Sequence, residues 1–537
     1  MRHNRNGLSL RTRSDTEVLI ESFEKRGEEI IPDWNGIFAV GIYDYKNHRL
    51  HLIRDRFGVK PLYVYEDEQV MAFASEAKVI LHWLTTFSIN PLGLAQYLWY
   101  GNTTGRQTIV NGLRKVNPGQ HVVYNTQTGQ LVRDSFFWEL NKIKQKQVNF
   151  SVAVKEVRSR LETAVKRQLI ADVPLGVLLS GGIDSSSIVA FAAHHYSGTF
   201  DTYSVEYDYN LGGQSEMANA ALVAKQYNTN HHELRITAGD VKDIFSKLVF
   251  QFDEPFVDAA NIPLYQLARA CSTDKKVILQ GDGGDELFAG YRRYNVLNSF
   301  YFWKYVSLGY HFIPNKRWQE RMKRLAFVLW QPDDAHRMAY YLTQDVPYKD
   351  PFQILSTEWQ AKVSQENYFE DYIAASDGFS GLDRVQKLLY TDTSILLPNT
   401  YLEKVDKATM LSSVEARVPY LDNELTEYVL SLPSGLKVQR GEKKYLLRRA
   451  LKGIVPDQIL NAPKRGFDVP YKEWLRKDLY EFAKSSFNET DNEILNKEKL
   501  CNLLEAHKNN LADYGPLLWK SLVLTHWLNL YKNKLNR

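Results

Sequence analysis

Residues 173–188 read VPLGVLLSGGIDSSSI, and no other stretch constrains the fold of this chain as strongly. An unbroken apolar run that stops at a Gly-Gly turn suits a strand buried on both faces, as in a parallel sheet covered by helices. The small residues after the turn read as a helix. In an open parallel sheet, ligands sit beyond the carboxyl ends of the strands, where this turn must lie. Gly181 and Gly182 lack side chains, so their backbone N–H groups can approach an anion closely. The helix N-terminus adds orphan donors and a partial positive charge. Ser180, Ser185 and Ser186 offer hydroxyls to phosphate oxygens. The result is a phosphate cradle, and it is not a Walker loop, because no G-K-[ST] occurs in the chain.

Asp184 adds a constraint of its own. A carboxylate beside a polyphosphate is repelled unless a cation lies between them, and magnesium binds through one or two carboxylates plus phosphate oxygens. A second carboxylate is therefore expected. The stretch QGDGGDELFAGYRRY at 280–294 follows another apolar run, KVILQ, and supplies Asp285 as the partner of Asp184. Taken alone, Gly-Gly-x-Asp is often a plain turn, and GDGGDE could be an Asp-rich turn. It lacks the alternating ligands and closing Glu of an EF-hand. Each motif follows a buried strand, which favours one shared site.

Around these motifs the rhythm of the chain changes. Between residues 36 and 74 short strands follow one another (GIFAVGIYDY, RLHLIRD, PLYVYED, VMAFAS), separated by Asp, Asn, Gly and Pro. The polar stretch NKIKQKQVN at 141–149 is the best linker candidate. Beyond it Val154, Val157, Leu161, Val165 and Leu169 recur at helical spacing. Strands then alternate with helices, which predicts a parallel α/β sheet with helices on both faces. From Tyr291 onward aromatic-rich helical segments dominate.

Composition narrows the function classes. Lys and Arg number 67 against 63 Asp and Glu. With no basic tail, that balance gives no reason to expect a nucleic-acid partner. Two cysteines, Cys271 and Cys501, exclude a disulfide scaffold or a zinc site of several thiolates and suit a reducing cytoplasm. No signal-peptide pattern opens the chain, and no apolar run is long enough to span a bilayer, so no membrane partner is expected.

At this point the sequence resembles a known family. SGGIDSS is similar to the PP-loop of ATP pyrophosphatases, and the wider match is to glutamine-dependent asparagine synthetases. It is carried by DEPFVDAANIPLY (253–265), QGDGGDELFAGY, YLEKVDKATMLSSVEARVPYLD (401–422), GEKKYLLRRAL (441–451) and APKRGFDVP (462–470). Upstream, RSDTEVLI, NGIFAVGIYD, RDRFGVKPLYV and SEAKVIL look like the latter part of the family's glutaminase domain. The resemblance implies an α/β protein of two units. Residues 1–145 would be a partial amidotransferase domain of the N-terminal-nucleophile (αββα) type. Residues 150–537 would be a PP-loop synthetase domain with a helical C-terminal part.

The chemistry implied is ATP-dependent amidation. A substrate carboxylate, most simply aspartate, attacks the ATP α-phosphorus to give an acyl-adenylate and pyrophosphate, and ammonia then expels AMP. ATP and Mg²⁺ are the expected cofactors, with aspartate and ammonia or glutamine as substrates; a homodimer is compatible with the resemblance. Asp184 and Asp285 match the metal ligands. Lys464, in PKRGF, is matched to a lysine that reaches the reacting phosphates, its bland alternative being a solvated surface lysine. Asp282 stands where many members carry a glutamate assisting intermediate formation and proton removal from the amine. Leu179, Val205, Gln280 and Gly281 match positions around the adenosine, with Gln280 replacing a usual small Ser. Asp253, Glu254, Glu415 and Arg417 are candidates for shaping the substrate pocket; a structural ion pair between Glu415 and Arg417 is the alternative.

The family's glutaminase nucleophile is a cysteine exposed by removal of the initiator Met, and here Arg2 follows Met1. Asp15, in RSDTE, matches a carboxylate that holds the glutamine α-amino group, but amide cleavage also needs an activated nucleophile. Two explanations stand: a fragment or misplaced start, which is preferred, or a chain that uses free ammonia. The expectation for the 537-residue chain is turnover with ammonium and not with glutamine. Three other readings are an amidotransferase acting on another carboxylate, such as a sugar acid in surface-polysaccharide synthesis, a non-catalytic relic, and a tRNA-modifying PP-loop enzyme. The balanced charge and absence of cysteine pairs weigh against the last.

Overall fold

A computed structural model describes residues 10–12, 14–207, 216–462, 469–490 and 493–536. Twelve strands form three sheets among these residues. In chain order they are β1 (Ala39–Asp44), β2 (Arg49–Arg54), β3 (Tyr63–Glu66), β4 (Met71–Ala74), β5 (Leu113–Lys115), β6 (Gln120–Asn125), β7 (Leu131–Phe136), β8 (Leu175–Leu178), β9 (Asp201–Tyr207), β10 (Asn230–Ile236), β11 (Val277–Leu279) and β12 (Glu415–Arg417).

The first seven strands build two antiparallel sheets, β1-β2-β6-β7 and β4-β3-β5. Alternation sets the layers. Leu50 and Leu52 of β2, with Val122 and Tyr124 of β6, pack on Val64 of the second sheet and on Leu62 just before it. The opposite face of the first sheet carries Ile53, which packs with Ile30, Ile31 and Trp34 and with Leu19 and Phe23 of the helix Asp15–Arg26. The order across this region is helix, sheet, sheet.

The stretch 141–149 is no loose tether. Lys146 N–H donates to Ser431 O at 2.8 Å, and the Gln145 amide donates to Tyr390 Oη at 3.0 Å. The helix after it runs Phe150–Gln168 and buries Val157, Leu161 and Val165, the apolar row read from the sequence.

The last five strands form one wholly parallel sheet in the order β10-β9-β8-β11-β12. Chain order runs outward from β8 in one direction to β10 and then restarts beside β8 with β11. The reversal therefore falls between β8 and β11, and a crevice at the carboxyl ends of strands opens at such a point. β12 was not foreseen as a strand. It is three residues long and sits at the sheet edge, where Gln280 N–H donates to Arg417 O at 3.0 Å. Among the described residues, the chain after Tyr291 is helical, apart from β12 and connecting turns.

Candidate active site

β8 ends at Leu178 and β11 at Leu279, and these strands pair directly, Val177 opposite Leu279. The two motif loops, 179–182 and 280–283, therefore leave adjacent strands side by side. Their contact is as close as atoms allow: a Cβ on Gly281 would lie 2.8 Å from Asp184 Cβ and 3.0 Å from Ser185 N. Gly181 adopts φ +72°, and a Cβ there would meet Glu216 O at 2.6 Å, so the tight turn demands glycine on both counts. Within the loop, Ser180 N–H donates to Ser185 Oγ at 3.1 Å and the two serine hydroxyls are 3.0 Å apart. The helix Ile183–His195 begins directly after Gly182, whose missing side chain leaves no cap over the first amides.

A cavity of about 540 Å³ opens over these loops, within the usual range for small-molecule sites. Of the residues read from the sequence, Leu179, Ser180, Asp184, Ser185, Val205, Gln280, Gly281, Asp282 and Asp285 all line it. Gly181, Gly182 and Ser186 do not: the glycines form the turn behind the wall, and Ser186 is fully buried in the helix.

The acids that follow the two loops, each in the first turn of the next helix, converge on one cation. Lys444 Nζ lies 2.6 Å from Asp285 Oδ1 and also bonds Asp184 Oδ2. Sequence reasoning did not single out this lysine, although the stretch containing it, GEKKYLLRRAL, carried part of the family match. Nothing local distinguishes Lys443 from Lys444. The backbone does: Lys444 sits in the left-handed region at φ +54° just before the helix Tyr445–Ala450. That helix is held against Phe150–Gln168 by Arg158, which donates to Ala450 O at 2.6 Å. Lys464 lies outside the described residues.

Acidic and basic groups continue along the cavity wall. Glu286 accepts a hydrogen bond from Tyr291. Burial, and then the adjacent Asp285, push its carboxyl up to about 7. Lys404 bonds Asp258 at 2.8 Å. Burial works against its charge, but Asp258, Asp282 and Glu286 together hold its pKa above the ordinary lysine value. The donor set also fits a magnesium ion: Asp184 and Asp285 are hard carboxylate oxygens that already converge on a single cationic point.

Four of the pocket candidates lie apart from this cavity, and Glu415 with Arg417 takes the alternative form, a structural ion pair. Glu415 and Arg417 do not line the cavity. They pair with each other at 2.8 Å, and Arg417 donates to Gln168 O and Ile170 O, which makes this an edge-strand tie. Asp253 and Glu254 also lie off the cavity. Asp253 accepts from Ala77 N at 3.1 Å and Lys78 N at 3.2 Å and pairs with Lys407, whereas Glu254 accepts from Ile109 N at 2.7 Å. Both join the antiparallel region to the parallel one. Asp15, matched to the glutamine-holding carboxylate of the amidotransferase unit, is exposed at the start of its helix, where it accepts from Thr16 N at 2.7 Å.

Comparison with known proteins gives the family. Residues 156–529 match the family model described as asparagine synthase, and residues 1–138 match that of a glutamine amidotransferase domain. The chain is 30% identical over 534 residues to asparagine synthetase (glutamine-hydrolyzing) 1 of Bacillus subtilis, covering 97% of this chain and 82% of that protein. Asparagine synthetase (glutamine-hydrolyzing) 3 of the same organism is 28% identical over 551 residues, covering 97% and 83%. Amidase chyE of Penicillium rubens is 27% identical over 517 residues, covering 86% and 73%.

Proposed function

The chain belongs to the asparagine synthase family, and from that premise we propose that it is an ATP-dependent carbon–nitrogen ligase that activates aspartate as an aspartyl-adenylate and amidates it. In this reading residues 1–145 form the amidotransferase-like unit and 150–537 the synthetase unit. One observation carries it: Asp184 and Asp285, from adjacent strand ends, share the Lys444 ammonium at the wall of a cavity lined by the adenosine candidates Leu179, Val205 and Gln280.

The amides and hydroxyls of the 179–185 loop bind the phosphate tail. Lys444 stabilises the negative charge that grows on phosphate oxygens as the substrate carboxylate attacks and pyrophosphate leaves. Asp184 and Asp285 are the residues that would hold magnesium, which when bound neutralises the pyrophosphate. Asp282, which lines the same cavity, takes a proton as ammonia adds, with AMP as the leaving group.

The test is to incubate the chain with ATP, Mg²⁺, ammonium and aspartate. Ammonium bypasses any need for glutamine hydrolysis. Asparagine, AMP and pyrophosphate in equal amounts are expected; ADP in place of AMP would refute the reading. The fungal relative named an amidase favours a second reading, amidation of a different carboxylate such as a sugar acid. Pyrophosphate release with a panel of acids in place of aspartate distinguishes the two.

A further inference from the structure

The helix Phe300–Ser307 is amphipathic in the unusual sense. Phe300 and Ser307 are buried against the protein. Its outward stripe is Tyr301, Phe302, Tyr305 and Val306, with Tyr301 70%, Phe302 61% and Tyr305 64% exposed. The spacing i, i+1, i+4, i+5 puts these four on one face. Lys304, the one charge in this helix, is half-buried and lies over the rings of Phe300 at 5.5 Å and the exposed Trp330 at 4.3 Å. The four residues this helix leaves exposed are aromatic or aliphatic. The following turn adds Leu308 and Phe312, the latter 89% exposed. The next helix, Lys316–Leu329, packs on the first and adds exposed Trp318, with Arg321 over its ring at 5.3 Å.

The charge around this face is one-sided. Residues 300–330 hold six Lys and Arg (Lys304, Lys316, Arg317, Arg321, Lys323, Arg324) and one acid, Glu320, in a chain whose charges otherwise nearly balance. Lys316, Arg317 and Arg321 are exposed on the same helix as Trp318, a helix that packs on the first. Exposed Trp, Tyr and Phe next to Lys and Arg is the chemistry of the bilayer interface, where rings sit at headgroup depth and cations meet anionic lipid. No helix among the described residues is long and apolar enough to cross a membrane. Spanning and lying on a surface are separate matters, so the earlier expectation of no membrane partner rested on a test that does not reach this face.

We propose that the helical hairpin 300–330 docks the protein on the surface of an anionic lipid bilayer, with Tyr301, Phe302, Tyr305 and Phe312 inserted at headgroup depth and Lys316, Arg317 and Arg321 against lipid phosphates. Tyr291, shortly before the hairpin, and Tyr341, shortly after it, both line the cavity described above. The chain thus enters and leaves the docking element from the wall of the site. The inference does not depend on which acid is amidated.

Co-sedimentation of the full chain with vesicles tests it. Vesicles of phosphatidylglycerol and phosphatidylcholine should bind at least about tenfold more protein than pure phosphatidylcholine, and raising the salt from about 0.1 M to 0.5 M should release most of it. The triple variants Phe302→Ser/Tyr305→Ser/Phe312→Ser and Lys316→Glu/Arg317→Glu/Arg321→Glu should each lose about tenfold of this binding while melting within a few degrees of the parent. All six positions are exposed, so both variants are expected to fold, and ammonium-dependent turnover in solution should be unchanged. Equal binding to both vesicle types, or full binding by either triple variant, would overturn the proposal. A vesicle-indifferent dimer broken by the aromatic variant would overturn it as well, by assigning the face to a second copy of the chain.

Discussion

Lys444 places its ammonium 2.6 Å from the carboxylate of Asp285, and the same ammonium bonds Asp184. Three segments separated by more than a hundred residues thus bring three charges to one point. The lysine side chain is 4% exposed, so its interactions are little screened by water. Replacing it with methionine keeps length and bulk but removes the charge. AMP-forming turnover of Lys444→Met should fall about 10²–10³-fold, the loss typical of a deleted donor to developing negative charge. ATP binding, followed separately by equilibrium dialysis, should weaken far less. A variant retaining half the parent rate would exclude the role given to this lysine.

Asp184→Asn and Asp285→Asn should each reduce pyrophosphate release at least about 100-fold. Each variant still leaves Lys444 one carboxylate, so melting temperatures should stay within about 5 °C of the parent. Chelation of divalent ions should silence the parent enzyme, and added Mg²⁺ should restore it. Unimpaired turnover in EDTA would show that these acids serve only to hold the lysine.

Gly281→Ala tests the contact between the two loops. Its new methyl would lie 2.8 Å from Asp184 Cβ and 3.0 Å from a backbone nitrogen, neither of which can swing aside. The loops must separate by several tenths of an ångström. A drop of about tenfold or more in turnover is expected, because catalysis depends steeply on such alignment. The secondary structure measured by circular dichroism should be retained.

Asp253 contributes to stability and not to chemistry. It is buried with φ +65° and pairs with Lys407 and, at 3.1 Å, with Lys78. Asp253→Ala would leave Lys78 with Glu76 and Lys407 with Glu403 as their remaining carboxylates, and would strip the buried Ala77 and Lys78 N–H groups of their acceptor. Urea unfolding should show a loss of about 1–3 kcal/mol, the usual consequence of leaving buried donors without their acceptor. Turnover per folded molecule should change little.

His526 sets a pH limit on stability. Burial lowers its pKa from 6.5 to about 4, and the ring lies beside Phe245 and Phe482 with Ser486 Oγ 3.0 Å from Nε2. The folded state holds the neutral ring, whereas the unfolded chain takes up a proton near 6.5. The contribution is therefore complete above about pH 6.5 and is lost as the pH falls toward 4. His526→Phe should gain about 2 kcal/mol on the parent between pH 7.5 and pH 5. Parallel stability curves for the two proteins across that window would contradict the assignment.

Much of the architecture could be read along the chain, because its determinants are local. The apolar run of β8, the Gly-Gly turn and the helical spacing of Val157, Leu161 and Val165 each act within a few residues of themselves. The strands at 39–74 were legible for the same reason. β12 was not: three residues with a mixed burial pattern have no periodicity to detect, and the pairing partner lies more than a hundred residues away.

The sequence by itself determined the kind of site: a phosphate-binding turn after a buried strand, two aspartates suited to one cation, and the family to which these motifs belong. Tertiary structure alone decided which lysine meets those aspartates, and that Asp253, Glu254, Glu415 and Arg417 serve as ties between elements and not as a pocket. The physical reason is range. Backbone turns and apolar periodicity are set by neighbouring residues. Whether a charge faces a cavity or another charge depends on where segments hundreds of residues apart come to rest, and in Lys444 on one left-handed backbone angle that turns its ammonium inward.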